Sequence, residues 1–197
     1  MGNEATTLVQ IGSESANAKA LLETEELIVR GALKARIAFA DATDVRAEDG
    51  VLRLRWSDRD VAIHLGADAA KWAEKIRNPK TVAQKLGIKA GQTISVVGSI
   101  DTSFLEACEY STKVQRDCDI IFFAANKRDD LARLEELRRA LTPAGAIWII
   151  RPKGVDTISE SDVMNAGKTH GLVDVKVVRF SASHTAEKLV IPVAKRA

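Results

Sequence analysis

Short apolar runs separated by polar turns fill the stretch from Ala18 to Leu65: Ala18 to Leu22, Leu27 to Arg30, Ala35 to Phe39, Val51 to Trp56 and Val61 to Leu65. Runs of that length predict consecutive antiparallel strands. Glu48-Asp49-Gly50 marks a turn, and Val61, Ile63 and Leu65 alternate with Asp60, Ala62 and His64, which gives one core face and one wet face. From Gly66 the period changes. Ala69, Trp72, Ala73 and Ile76 recur at i, i+3, i+4 and i+7, the spacing of an amphipathic helix, and Asn78-Pro79 ends it.

The second half has a different rhythm. Thr81 to Leu86 predicts a short linking helix, Lys89-Ala90-Gly91 a turn, Thr93 to Gly98 a strand and Thr102 to Tyr110 a helix. Cys118 to Ala124 is a continuous apolar run, as in strands buried on both faces of a parallel sheet. Asp129 to Leu141 places Leu131, Leu134, Leu137 and Leu141 on one helical face, with Pro143 and Gly145 read as its breakers and Ala146 to Ile150 as the next buried strand. Ser159 to Thr169 reads as a helix with Ser159 and Asp162 approximating a capping box and Gly171 as its stop; Val173 to Phe180 and Lys188 to Val193 read as a hairpin. The fold class expected is therefore an α+β N-terminal domain over residues 1–79, antiparallel strands plus one helix. An α/β domain over residues 80–197 follows, a reduced doubly wound sheet with an antiparallel last strand.

Composition narrows the function classes. With 197 residues and 46% apolar content the chain can bury substantial cores, and its 29 basic and 27 acidic side chains are mixed along the length. With no run of like charge, neither nucleic acid nor a membrane is expected as a partner. No apolar stretch approaches the ~20 residues of a membrane span and no signal peptide is recognisable, so a cytoplasmic location is expected. The Met-Gly start shares only Gly2 and Thr6 with an acylation signal, and no lipid is expected. Cys108 and Cys118 lack metal-site or redox-motif spacing and read as buried free thiols; His64, His170 and His184 are scattered singly, so no metal is expected.

The run of antiparallel strands closed by the Trp72 helix resembles pleckstrin-homology-like domains, which bind lipids, peptides or proteins. The Leu22 to Leu27 turn carries Glu23, Glu25 and Glu26 instead of a basic cluster, which favours a protein partner. The later half, Leu86 to Val193, resembles the Rossmann-like, S-adenosylmethionine-dependent methyltransferase fold: Ile94 to Gly98 matches its first strand, Cys118 to Ala124 the strand after the nucleotide half, and Ala146 to Ile150 the next. The final hairpin matches the family's reversed last strand. The 19 residues between Gly98 and Cys118 leave no room for the two strands that normally carry the adenosine-binding acidic residue. The loop Val97-Gly98-Ser99-Ile100-Asp101 has a single glycine where a nucleotide loop needs several. No cofactor is therefore expected. The segments Leu86 to Gly91 and Ala146 to Lys153 also resemble those of a bacterial family, a domain of unknown function.

In open α/β sheets ligands sit beyond the carboxyl ends of the strands. The loops expected there carry Gly98, Ser99 and Asp101, then Asn126 and Lys127, then Arg151 and Lys153. Gly98, Asp101, Asn126, Arg151 and Lys153 are thus the candidate ligand-binding residues, of a chemistry suited to a small anion. The competing reading has Asp101 or Thr102 capping a helix and Arg151 paired with it or with solvent. No catalytic residue is expected: Ser103 and Ser181 lack a nucleophile elbow, and Asp117 and Asp119 flank Cys118, which disfavours its thiolate. His170 is expected to complement a helix end, His184 to be exposed in the hairpin turn, and Trp72 and Trp148 to lie in cores. A non-enzymatic binding or regulatory protein is the leading reading. The alternatives are an enzyme or cofactor binder using the strand-end pocket, and a structural subunit of a homodimer or a hetero-complex.

Overall fold

The computed structural model describes residues 3–105 and 108–196; Gly2 lies outside them. The chain forms two compact units, Met1–Lys80 and Thr81–Ala197. Among the described residues of the first unit, seven strands form one antiparallel sheet: β1 (Asn3–Ile11), β2 (Glu14–Leu22), β3 (Glu26–Gly31), β4 (Ala35–Ala38), β5 (Thr43–Glu48), β6 (Val51–Trp56) and β7 (Arg59–His64). Their order is β4-β3-β2-β1-β7-β6-β5, with β1 joined to β7 where Val9 faces Ile63. Val9, Leu27, Ile37, Leu52 and Ile63, all fully buried, share one core with Trp72 and Ile76 of α1 (Ala69–Arg77). That helix packs on β5 and β6 and buries the whole stripe expected of it.

Two strands of this unit escaped the sequence reading. β1 alternates inward and outward, but its outer positions include Leu8, which blurs the period. β5 is an edge strand with a register shift beside Asp44, whose φ is +53°, and only Val45 and Ala47 lean on the core. The Glu48-Asp49-Gly50 turn does form. Asp49 and Gly50 both take positive φ, as a tight two-residue hairpin requires.

The second unit opens with α2 (Val82–Leu86), capped reciprocally by Thr81 and Gln84. Its sheet runs β11-β12-β10-β9-β8. The parallel strands are β8 (Ile94–Val97), β9 (Cys118–Ala124) and β10 (Leu141–Pro152). β11 (Val173–Arg179) and β12 (His184–Val190) form the terminal hairpin, and β12 inserts antiparallel between β10 and β11. Apolar clusters cover both faces. On one, Ile121, Phe123, Ile147 and Ile149 pack under Leu134 and Leu137 of α3 (Leu134–Arg139) and Val163 of α4 (Glu160–Thr169). On the other, Phe122, Trp148 and Ile150 pack with Leu86 and Leu105.

Three local expectations are corrected. In place of a helix over Thr102–Tyr110, the described residues show a 3-10 turn at Ser103–Leu105, and Ser111 bridges Ser95 on the outer edge of β8; residues 106–107 lie outside the described ones. The helix expected from Asp129 begins as a 3-10 stretch, Arg128–Arg133, before α3. Pro143 and Gly145 do not separate helix from strand. They lie inside β10, where the pairing with β9 jumps from Leu141–Cys118 to Ala146–Ile120. A Cβ at Gly145 would stand 2.6 Å from the Cys118 carbonyl oxygen, so close backbone approach explains this glycine. The α4 capping box forms as read, Ser159 Oγ accepting from Asp162 N at 3.2 Å and Asp162 Oδ2 from Ser159 N at 2.8 Å.

Candidate ligand pocket

Three parallel strands finishing on one edge bring three loops together, whatever their distance in sequence. After β8 the chain turns at Gly98, φ +89°, where an added Cβ would meet the Ala124 Cβ at 2.9 Å. Only glycine lets this turn lie so close over the end of β9. The turn delivers Ile100 and Asp101. Asp101 Oδ1 accepts from Ser103 N at 3.0 Å, and this bond with the Ser103 hydroxyl's holds the carboxyl below the usual carboxylate range. The neighbouring loop is fixed by Asp130, whose Oδ2 accepts from Asn126 N and Lys127 N at 2.8 and 3.1 Å.

The fourth wall comes from the hairpin turn. Because β12 is antiparallel to β10, its first residue, His184, pairs with Pro152 at the carboxyl end of β10. Ser181 Oγ accepts from His184 N at 3.0 Å, and Ser183 Oγ lies 2.9 Å from His184 Nδ1. Lys153 fastens this turn from beneath, donating from Nζ to Ser181 O at 2.7 Å and from its backbone N to Ser183 O at 2.8 Å.

Together these loops enclose a cavity of about 350 Å³. Its apolar wall is Val82, Ile100, Phe104, Ile150 and Phe180; its polar rim is Ser99, Asp101, Ser103 and Asn126 on one side and Ser181, Ser183 and His184 on the other. Phe104 stands edge-on to Phe122 and Phe180, with centroids 5.0 and 5.2 Å apart.

Of the five residues singled out from sequence, Asp101 and Asn126 line the cavity, and Gly98 shapes it from behind. Arg151 points away. It follows Ile150 in β10, and alternation sends it to the opposite face, where its Nε donates to Glu187 Oε1 at 2.5 Å. Both side chains are sequestered, 12% and 3% exposed. Burial pushes the Glu187 carboxyl up and Arg151 pulls it back. Asp101 does cap the turn that follows it, while Arg151 pairs with an acid neither reading named.

Phe104, Phe180, Ser181, Ser183 and His184 were missed as site residues. Sequence marked a hairpin, but not that its second strand slots beside β10 and carries the turn to the pocket. His184, expected to be exposed, is half-buried there. His170 closes α4, its N donating to Ala166 O at 3.0 Å, and Trp72 and Trp148 are 1% exposed, as expected of core residues. Cys108 and Cys118 are free thiols. Cys108 is half-buried, whereas Cys118 is fully buried, its Sγ 3.1 Å from Ser95 Oγ. Among the described residues no group of three or more His, Cys, Asp or Glu could hold a metal ion, and no helix is long and apolar enough to cross a membrane.

The chain matches no protein-family model, and no curated protein matches it. It is similar to solved structures of S-adenosylmethionine-dependent methyltransferases. An Aquifex aeolicus methyltransferase shares 18% identity over 56% of this chain and 88% of that one, TM-score 0.44. The magnesium protoporphyrin IX methyltransferase of Synechocystis shares 12% over 55% and 76%, TM-score 0.40. The fibrillarin pre-rRNA processing protein of Methanococcus jannaschii shares 12% over 89% and 98%, TM-score 0.39.

Among the described residues β8 is the edge strand of its sheet, and the half-buried Ile100 lies in the loop that follows it.

Proposed function

We propose that this chain is a non-catalytic binding protein whose second unit takes a small organic molecule at the carboxyl ends of β8, β9 and β10. The observation that carries this reading is the cavity of about 350 Å³ with an apolar wall and a rim of short polar side chains. Ligand sites have that size and that division between apolar body and few orienting groups. Against catalysis stands the lack, among the described residues, of a third group behind the Ser183–His184 contact. The His184 imidazole bonds the adjacent Ser183, and no carboxylate among the described residues orients it as a general base would need. The first unit, with its pleckstrin-homology-like sequence pattern, serves in this reading as the protein-binding half.

The test is a fragment screen on the full chain, followed by amide NMR shifts. Bound fragments are expected to perturb residues 99–104, 124–126 and 180–184, and Ser183→Trp, which plugs the rim, is expected to abolish those shifts while the rest of the spectrum stays in place. Fragments that perturb other surfaces, or bind Ser183→Trp equally well, would overturn the reading.

A further inference from the structure

The charges around the cavity select its ligand. Asp101 is the one acidic side chain on the lining, and among the described residues its carboxylate forms no ion pair. Neither strand-end cation is on the lining: Arg151 is held on the opposite face of the sheet by Glu187, and the Lys153 ammonium is engaged by the carbonyl of Ser181, behind the hairpin turn that forms the rim. An anion entering this space would therefore meet a carboxylate with no lining lysine or arginine to offset it. A cation would meet the Asp101 carboxylate at the rim, and Phe104 and Phe180 in the same wall offer aromatic rings on which an apolar body can pack. The Ser99 hydroxyl supplies an acceptor for a further N–H group.

We propose that the ligand is an organic cation: an amine with a flat apolar body, its ammonium on Asp101 and its body against Phe104, Phe180 and Ile150. This inference rests on the strand-end pocket being a ligand site. It reverses the charge that Arg151 and Lys153 suggested on sequence alone.

A matched series separates the two ideas. Tryptamine, tryptophol and indole-3-acetate present one indole body with a cationic, neutral or anionic tail. Titrated into the full chain and followed by NMR shifts at residues 99–104 and 180–184, tryptamine is expected to bind more tightly than tryptophol, and indole-3-acetate most weakly. Asp101→Asn retains an oxygen for the Ser103 cap. It is expected to weaken tryptamine about fivefold, the scale of one solvent-accessible ion pair, and to leave tryptophol unchanged. Equal binding of all three at the cavity, a preference for the anion, or an Asp101→Asn variant with an unaltered ranking would overturn the cation inference and leave the pocket standing. Shifts confined to other surfaces for all three compounds would overturn the pocket itself.

Discussion

In the first unit charge stays on the wet face of the sheet: Lys19 pairs with Glu4, Arg36 with Glu26 and Arg46 with Asp44, and most of these side chains remain well exposed. In the second unit polar groups go inside. Arg151 and Glu187 pair under α4's side of the sheet, and Ser95 and Cys118 lie fully buried. The difference follows from architecture. A one-sided antiparallel sheet can send every second residue to water, whereas a sheet covered on both faces must pair whatever polar side chain it encloses. Buried polar partnerships therefore decide which strand-end residues can reach a ligand, and they are where the second unit's chemistry was set.

The largest effect that tests this contrast lies in the apolar core of the first unit. Trp72→Ala is expected to remove about 3 to 5 kcal/mol by opening a cavity between α1 and the sheet, with a correspondingly lower unfolding midpoint for the first unit in urea. A midpoint that stays put would show that the stripe is not a packing surface.

Next comes the buried pair. Arg151→Ala should strand the Glu187 carboxylate in the interior and cost the second unit about 3 kcal/mol, a fall in thermal midpoint on the order of 10 °C. Arg36→Ala in the first unit breaks an exposed pair and is expected to leave the midpoint within error. Comparable losses from both would erase the distinction between the two regions.

Gly98→Ala is expected to cost about 2 kcal/mol, from its positive φ and from contact with the Ala124 side chain, and to weaken any cavity ligand as the loop lifts. An unstrained variant, with unchanged melting, would mean that the loop is free to relax.

The smallest effect is a pH slope. Ser159 and Arg128 together lower the Asp162 carboxyl to about 2. Its stabilising contribution is then complete above the ordinary carboxylate value near 4 and disappears as pH falls from there through about 2. The raised Glu187 carboxyl acts in the opposite sense, since its protonation on acidification favours the folded state. Asp162→Asn isolates the first contribution. Its thermal midpoint should fall less steeply between pH 4 and 2 than that of the unaltered protein, and parallel slopes would remove the capping box as their source.

Much of the fold was legible along the chain. The 3.6 period of the Trp72 helix, the unbroken apolar run of β9 and the Ser159–Asp162 box each depend on neighbours within a few residues, and each formed as read. Where a non-local contact set the outcome, the reading failed. Gly145 looks like a helix breaker until the Cys118 carbonyl is placed against it. Residues 102–110 look helical until Ser111 is seen bridging the edge of β8.

The sequence by itself determined two successive kinds of sheet, the turns between their strands, and the arrival of Asp101 and Asn126 at a common edge, because periodicity and parallel strand direction are local or topological properties. Tertiary structure alone decided the chemistry at that edge. Side-chain alternation within β10 carried Arg151 to the far face, where a buried Glu187 from β12 claimed it. The insertion of β12 beside β10 carried Ser181, Ser183 and His184 to the rim. Strand order and face are settled by which apolar surfaces pack together across the whole unit, and that is not written in any short stretch of residues.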